Sequence, residues 1–322
     1  MITDKANTMC LLTILREYSD AEHILRMGDI IKKMELLYGT AVDRRTVYGS
    51  INLLIELGYD ISTYEDNGRG YYLCSREFEL SEIYLLMESV YSNAAIPRRY
   101  TEDLIRKIQQ QGMSIYKRRE YKHLTVVHDD VKTSNREVFL NIELLDGAIT
   151  KKKKVTFVYL QYDFDKKLKP RRDRTYTVSP YAMVSANEHF YLVCKTESFN
   201  DIGQYRIDKI KDLVVTGERA EPVPKGFDVR KHVQSAVYMF SNDIERVTLR
   251  CDNKVLDDII DKFGQGVRLS PNDDGTFTAN VTASRRGIQF WALQYLEYVE
   301  VLGPKAVRNG IIKAMKTNIY MR

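Results

Sequence analysis

Apolar residues in the N-terminal part of the chain recur at three- and four-residue spacing. Leu11, Leu12, Leu15 and Tyr18 make the stripe of an amphipathic helix over about residues 6–18, and Ile30, Ile31, Met34 and Leu37 make a second over about 29–38. After a tight turn at Gly39-Thr40-Ala41-Val42, a third helix is expected over residues 43–58. Val47, Ile51, Leu54 and Ile55 fall at i, i+4, i+7 and i+8 on its apolar face, while Arg45, Thr46, Gly49 and Asn52 fall on the other. Asp43 suits the N-cap, because its carboxylate can accept from the orphan amides of the first turn, and Gly58 suits the C-terminal end. Residues 59–64, a glycine-containing stretch at 65–70 and residues 71–73 then read as strand, turn and strand.

Helices followed by a hairpin in this order make a winged helix-turn-helix, whose third helix reads duplex DNA. The expected DNA contacts are Arg44, Arg45, Thr46, Tyr48, Ser50 and Asn52, with Arg69 near the tip of the wing. A generic helical domain with a surface hairpin shares the pattern; the Arg-Arg-Thr start of the third helix favours DNA.

Further along, Ile83, Leu86, Met87 and Val90 mark a helix over about 80–93, broken by Pro97, and Leu104, Ile105 and Ile108 mark another over about 101–111. Residues 116–136 are charged and read as a joint. One more helix is expected over about 137–149, and then the period changes to that of strands, at about 155–159, 176–184, 189–194, 204–210 and 213–215. Short strands without long helices between them suggest a small antiparallel barrel. Residues 221–226 form a linker. Beyond it strands near 244–251, 266–270, 276–283 and 299–301 alternate with helices near 253–263 and 285–298, an order suggesting a ferredoxin-like sandwich, closed by a helix over about 304–320. Trp291, the only tryptophan, is expected in that core.

Composition narrows the function. A net charge of +5 permits nucleic-acid binding without establishing it. The apolar runs are too short and too broken by charge for a transmembrane span, and the N-terminus has no signal-peptide core, so a cytoplasmic protein is expected. Cys10, Cys74, Cys194 and Cys251 are far apart and are expected to be reduced, buried thiols. The five histidines, His23, His123, His128, His189 and His232, form no metal-binding spacing. Asp129-Asp130 and Asp257-Asp258 are adjacent pairs whose members do not face each other. No nucleophile elbow, P-loop or dinucleotide fingerprint is present, so no enzyme, cofactor or metal is expected.

What remains is anion recognition. Alternation turns Tyr191 and Arg206 away from Phe190 and Ile207, puts His189 on the face of Tyr191, and gives Ser179 and Tyr181 a common face. Arg206 can instead serve a structural ion pair with Asp208. Basic runs at residues 151–154 and 166–172 are either solvated loops or a field that steers a polyanion.

Ser179-Pro180-Tyr181-Ala182, Phe190-Tyr191-Leu192-Val193 and Tyr205-Arg206-Ile207-Asp208-Lys209-Ile210 resemble the signature of the WYL-domain transcriptional regulators. The run from Phe290-Trp291 to Gly303-Pro304 resembles that family's C-terminal extension. The resemblance implies a winged helix-turn-helix at 1–75, a helical linker at 76–136, a WYL domain of Sm-like barrel fold at 137–220 and a C-terminal extension at 240–322, an α+β chain overall. It also implies a pocket for a negatively charged effector, a nucleotide or single-stranded nucleic acid, with Ser179, Tyr181, His189, Tyr191, Arg206 and Lys209 as candidate ligands. Phe190 replaces the family's Trp, Lys209 replaces a second Arg and loses its planar fork, and Gly49-Ser50 stands where Arg-Asp is common. The expected function is regulation of transcription by a homodimer on double-stranded operator DNA. The alternative is an accessory protein that binds RNA or single-stranded DNA.

Overall fold

The computed structural model describes residues 4–118, 132–186, 188–197, 202–229, 231–232 and 243–321. Most of the charged joint, with His123, His128 and Asp129-Asp130, lies outside the described residues. The chain is α+β and divides into two compact units, Met1–Ser134 and Asn135–Arg322. No described helix is long and apolar enough to cross a membrane.

In the first unit, α1 (Asp4–Tyr18), α2 (Met27–Tyr38) and α3 (Arg44–Glu56) close around Leu11, Ile14, Leu15, Ile30, Met34, Val47, Ile51 and Leu54. Asp43 caps α3 as expected, accepting the Thr46 N–H at 2.8 Å, and Gly58 takes the left-handed backbone (φ 91°) that ends the helix. The buried stripe of α3 runs through Val47, Ser50, Ile51 and Leu54, so two expectations are corrected. Ile55 is 41% exposed, one position past the stripe, and Ser50 is buried against α1, where its Oγ accepts from the Thr8 hydroxyl at 3.2 Å. Ser50 is therefore a packing residue and not a DNA contact.

The hairpin also differs from expectation. Its strands shrink to β1 (Ile61–Ser62) and β2 (Tyr72–Leu73), and a helical turn, α4 (Tyr64–Asn67), takes the end of the first expected strand and the start of the glycine-containing turn. Thr63 donates to Asp66 from both its N–H (2.7 Å) and its hydroxyl (2.9 Å), and Gly68 closes the turn at φ 67°. These local bonds compete with a longer ladder.

Two further helices follow, α5 (Leu80–Ser92) and α6 (Arg98–Gly112), with Ile83, Met87, Ile105 and Met113 between them. A last turn, α7 (Ile115–Arg118), is fastened to the end of α1. Arg118 grips Glu17 with two bonds (2.6 and 2.8 Å), Ser114 donates to Asp20 at 2.5 Å, and Tyr116 stacks on His23 at 3.7 Å. Burial alone would raise the Asp20 carboxyl, but the bonds from Ser114, His23 and Glu22 outweigh it and bring it to about 2. Asp20, Glu22 and His23 bring their ligand atoms within 4.8 Å of one another, yet Asp20 is already filled by these donors, so the cluster is a structural knot.

The second unit begins with α8 (Val138–Thr150) and a curled antiparallel sheet: β3 (Lys153–Tyr162), β4 (Leu168–Pro170), β5 (Tyr176–Ala186), β6 (His189–Thr196), β7 (Ile202–Arg206) and β8 (Ile210–Arg219). The order is β4-β3-β5-β6-β7, with β8 on β3. Leu145, Val155, Phe157, Val178, Leu192, Ile207 and Ile210 fill its core. The single strand expected over 204–210 is broken by a 3-10 turn at Ile207–Lys209. There the carbonyls of Asp208 and Ile210 turn to the Asn135 amide (3.0 and 2.7 Å), and Asn141 also reaches Ile210 at 2.8 Å.

A four-stranded antiparallel sheet follows, β9 (Ile244–Asp252), β10 (Arg268–Pro271), β11 (Thr276–Ser284) and β12 (Val299–Gly303), in the order β10-β11-β9-β12. Helices Leu256–Phe263 and Arg285–Gln294 connect its strands, and Lys305–Lys316 follows β12. Val247, Leu249 and Cys251 of β9 and Phe277, Ala279, Val281 and Ala283 of β11 point into the core, where Trp291 sits 2% exposed beside Phe263 and Tyr295. Cys194 and Cys251 are buried as expected, but Cys74 is exposed at the end of the hairpin.

Candidate functional site

The exposed side of α3 carries Arg44, Arg45, Tyr48 and Asn52, while Thr46 is half-buried at the helix start. The Thr46 hydroxyl and N–H, with Arg45 nearby, hold the Asp43 carboxyl below its usual range, so the cap is ionised at neutral pH. Beside this surface lies a concavity of about 550 Å³ whose rim brings Arg44 and Tyr48 together with Arg69. Arg26, at the entrance to α2, and Tyr64, at the start of α4, line the same hollow; both escaped the sequence reading, because neither lies on the third helix or the wing tip. Arg26, Arg44 and Arg69 arrive from separate elements, and among the described residues none has a carboxylate within ion-pair distance. Converging cations repel one another unless an anion lies between them. Tyr71 closes the floor, edge-on to Tyr48 at 6.4 Å, and burial pushes its phenol up, so it stays a neutral hydrogen-bonding group. Arg45 and Asn52 are exposed on the same helix but do not line the hollow.

One side chain sets the position of Arg69. Asn67 Oδ1 accepts the N–H groups of Arg69 (2.7 Å) and Gly70 (2.9 Å), and its Nδ2 bonds to Ser62 Oγ, Thr63 O and Gly70 O at 2.7–3.0 Å. Gly70 in turn packs so closely on the Leu25 carbonyl that no Cβ fits. Asn67→Ala is expected to cost about 1–2 kcal/mol in thermal unfolding and to weaken duplex binding severalfold, since Arg69 loses its anchor. Unchanged DNA affinity, read by fluorescence anisotropy, would remove Arg69 from the contact surface.

In the second unit the predicted ligand residues separate into two places. Tyr191 and Arg206 are direct partners across β6 and β7, and His189 meets Tyr191 edge-on at 6.4 Å. Arg206 forks onto the fully buried Asp208, Nε to Oδ1 at 3.0 Å and Nη2 to Oδ2 at 2.7 Å, while keeping a quarter of its side chain exposed. The Tyr159 hydroxyl accepts the Arg206 N–H at 3.2 Å. Lys209 projects beside them, 5.4 Å from the Tyr162 ring. Burial, then the Arg206 charge, lowers both the His189 imidazole and the Lys209 ammonium.

Ser179 and Tyr181 lie elsewhere. Ser179 pairs with Lys195 and His189 with Ala186, so they occupy opposite ends of the β5–β6 hairpin, roughly 20 Å apart at strand spacing. The Ser179 hydroxyl is buried, accepting the Glu221 N–H at 2.9 Å, and the Tyr181 hydroxyl donates to the Pro222 carbonyl at 3.2 Å. The bulge between Pro180 and Ala182 also breaks the alternation that gave the two a common face. They do not belong with Arg206, and the candidate anion site reduces to His189, Tyr191, Arg206 and Lys209.

The lowered His189 value has a definite sign. The folded state holds the imidazole neutral below its ordinary value of 6.5, while the unfolded chain takes up the proton. Stability is therefore complete above about pH 7 and falls as the pH drops through that ordinary value. His189→Asn is expected to flatten this decline below about pH 7 in urea unfolding; an unchanged slope would place the effect on other groups, such as the half-buried His232.

The sequence matches the WYL domain model over residues 141–215 and the WCX domain model over residues 243–317. No curated protein matches it. Among solved structures it is similar to proteasome accessory factor B/C of Arthrobacter aurescens, with 14% identity over 99% of this chain and 49% of that one, at a TM-score of 0.28. The chain thus spans about half the length of that relative. It is also similar to a CRISPR Cas-related protein, with 12% identity over 100% of this chain and 87% of that one, at a TM-score of 0.37.

Proposed function

We propose that this chain, which carries a WYL domain followed by a WCX domain, regulates transcription by binding double-stranded operator DNA through its first unit. The observation that carries this reading is the convergence of Arg26, Arg44 and Arg69 on one hollow, beside the exposed face of α3, without a carboxylate partner among the described residues. α1–α3 and the β1–β2 pair act as a winged helix-turn-helix: the hollow takes the phosphate backbone, and Arg45, Tyr48 and Asn52 face the groove. The curled sheet acts as an Sm-like barrel whose His189, Tyr191, Arg206 and Lys209 hold an anionic effector, a nucleotide or single-stranded nucleic acid. The four-stranded sheet β9–β12 with its helices takes the ferredoxin-like arrangement. In a homodimer, an effector that prefers one of two arrangements shifts the spacing of the DNA-binding surfaces.

A footprint on the DNA upstream of the protein's own reading frame tests the reading. The expected result is a protected site with two half-sites about one helical turn, or a multiple of it, apart. No protection there or on a library of genomic fragments would overturn it.

A further inference from the structure

A second cavity, of about 740 Å³, lies at the end of the WYL domain opposite Arg206. Its walls are apolar: Ile149 from the end of α8, Pro180 from β5, and Pro222 and Val223 from the segment after β8. Two cations stand in the lining, Lys152 and Arg219, and among the described residues neither has an ion-pair partner. The one acid there, Glu221, is held by Lys195 at 2.6 Å, which also keeps its carboxyl below the usual range. The Tyr181 hydroxyl spends its proton on Pro222 and leaves its oxygen as an acceptor. The backbone around the cations is fixed. Lys152 is held at φ 51°, its N–H on Ile149 O at 3.1 Å and its carbonyl taking the Ala220 N–H at 2.9 Å.

We propose that this cavity binds a small amphipathic monoanion, a carboxylate with an apolar body of about eight carbons or an equivalent aromatic acid. Three features select that class. The size falls within that of small-molecule sites, roughly 300–1,000 Å³. The apolar walls reward burial of a hydrocarbon body. The unpaired Lys152 and Arg219 favour one negative head group and oppose a cationic one. This site is independent of the proposed DNA and effector sites. Its outer wall, residues 220–223, is the segment that leads toward the C-terminal sheet, so occupancy fixes a connector as well as a pocket.

Calorimetric titration of the full chain with octanoate, octan-1-ol and octyltrimethylammonium tests the proposal. Octanoate is expected to bind at least roughly tenfold tighter than the alcohol, and the ammonium not at all. Arg219→Ala and Lys152→Ala should each weaken octanoate severalfold, Val223→Asp should abolish binding, and Lys167→Ala, an exposed position outside the lining, should leave it unchanged. All of the first three lie on exposed positions, and an unaltered melting temperature confirms an intact fold. Equal binding of octanoate and octanol, no binding of either, or octanoate binding that survives Val223→Asp would each overturn the proposal.

Discussion

Arg44→Ala combined with Arg69→Ala is expected to weaken binding to the operator duplex by roughly a hundredfold at about 0.15 M salt, each lost phosphate contact accounting for about a factor of ten. The slope of log affinity against log salt should also flatten by about two, since two fewer counterions are released. Both arginines line the hollow beside α3, have no carboxylate within ion-pair distance among the described residues, and lie on exposed positions where truncation does not disturb the core. Arg26→Ala should act in the same direction, although it lies outside the third helix. Ser50→Ala is the informative contrast. It removes the bond to Thr8 inside the bundle and should lower stability by about 1 kcal/mol without changing the salt slope. Anisotropy titrations at several salt concentrations separate the two kinds of residue. A double variant with the wild-type slope would mean that the hollow does not hold phosphate.

Arg206→Ala should produce the largest loss of stability, about 3 kcal/mol in denaturant unfolding. It leaves the Asp208 carboxylate, with no exposure of its own, without its forked partner. Arg206→Lys keeps the charge and loses the fork, so it should recover part of that loss. Loss of effector binding in Arg206→Ala would for this reason be ambiguous. Lys209→Ala is the cleaner probe, because Lys209 rests on the Tyr162 ring and carries no ion pair among the described residues. An Arg206→Ala protein as stable as wild type would show that the pair contributes little beyond its own desolvation.

These two sites differ in how much of them the sequence disclosed. Helical period alone placed Arg45 and Asn52 on the exposed face of α3, because burial of Val47, Ile51 and Leu54 fixes the helix rotation. It misassigned Ser50 and Ile55, which lie at the edges of the stripe, where the angle of the neighbouring α1 decides burial. Arg26 was invisible because its relation to Arg44 is a tertiary contact with no sequence spacing. In the WYL domain, period two turned Tyr191 and Arg206 away from Phe190 and Ile207, and the ladder makes the two direct partners, which no spacing in the sequence shows. It failed at Ser179 and Tyr181, where a bulge changes the alternation, and at residues 207–209, where Asn135, far away in sequence, draws carbonyls out of the strand. Arg206 illustrates the limit of motif reading. The pair with Asp208 is structural, and the guanidinium still presents a quarter of its side chain to solvent, which leaves room for the proposed anion contact beside it.

The most direct measurement is a competition between one operator duplex and its own separated strands for the full chain, read by anisotropy at physiological salt. Duplex recognition through the arginine hollow predicts that the duplex competes far better than either strand, and that this preference disappears in the Arg44→Ala, Arg69→Ala variant. Strands that compete as well as the duplex, in wild type and variant alike, would contradict it.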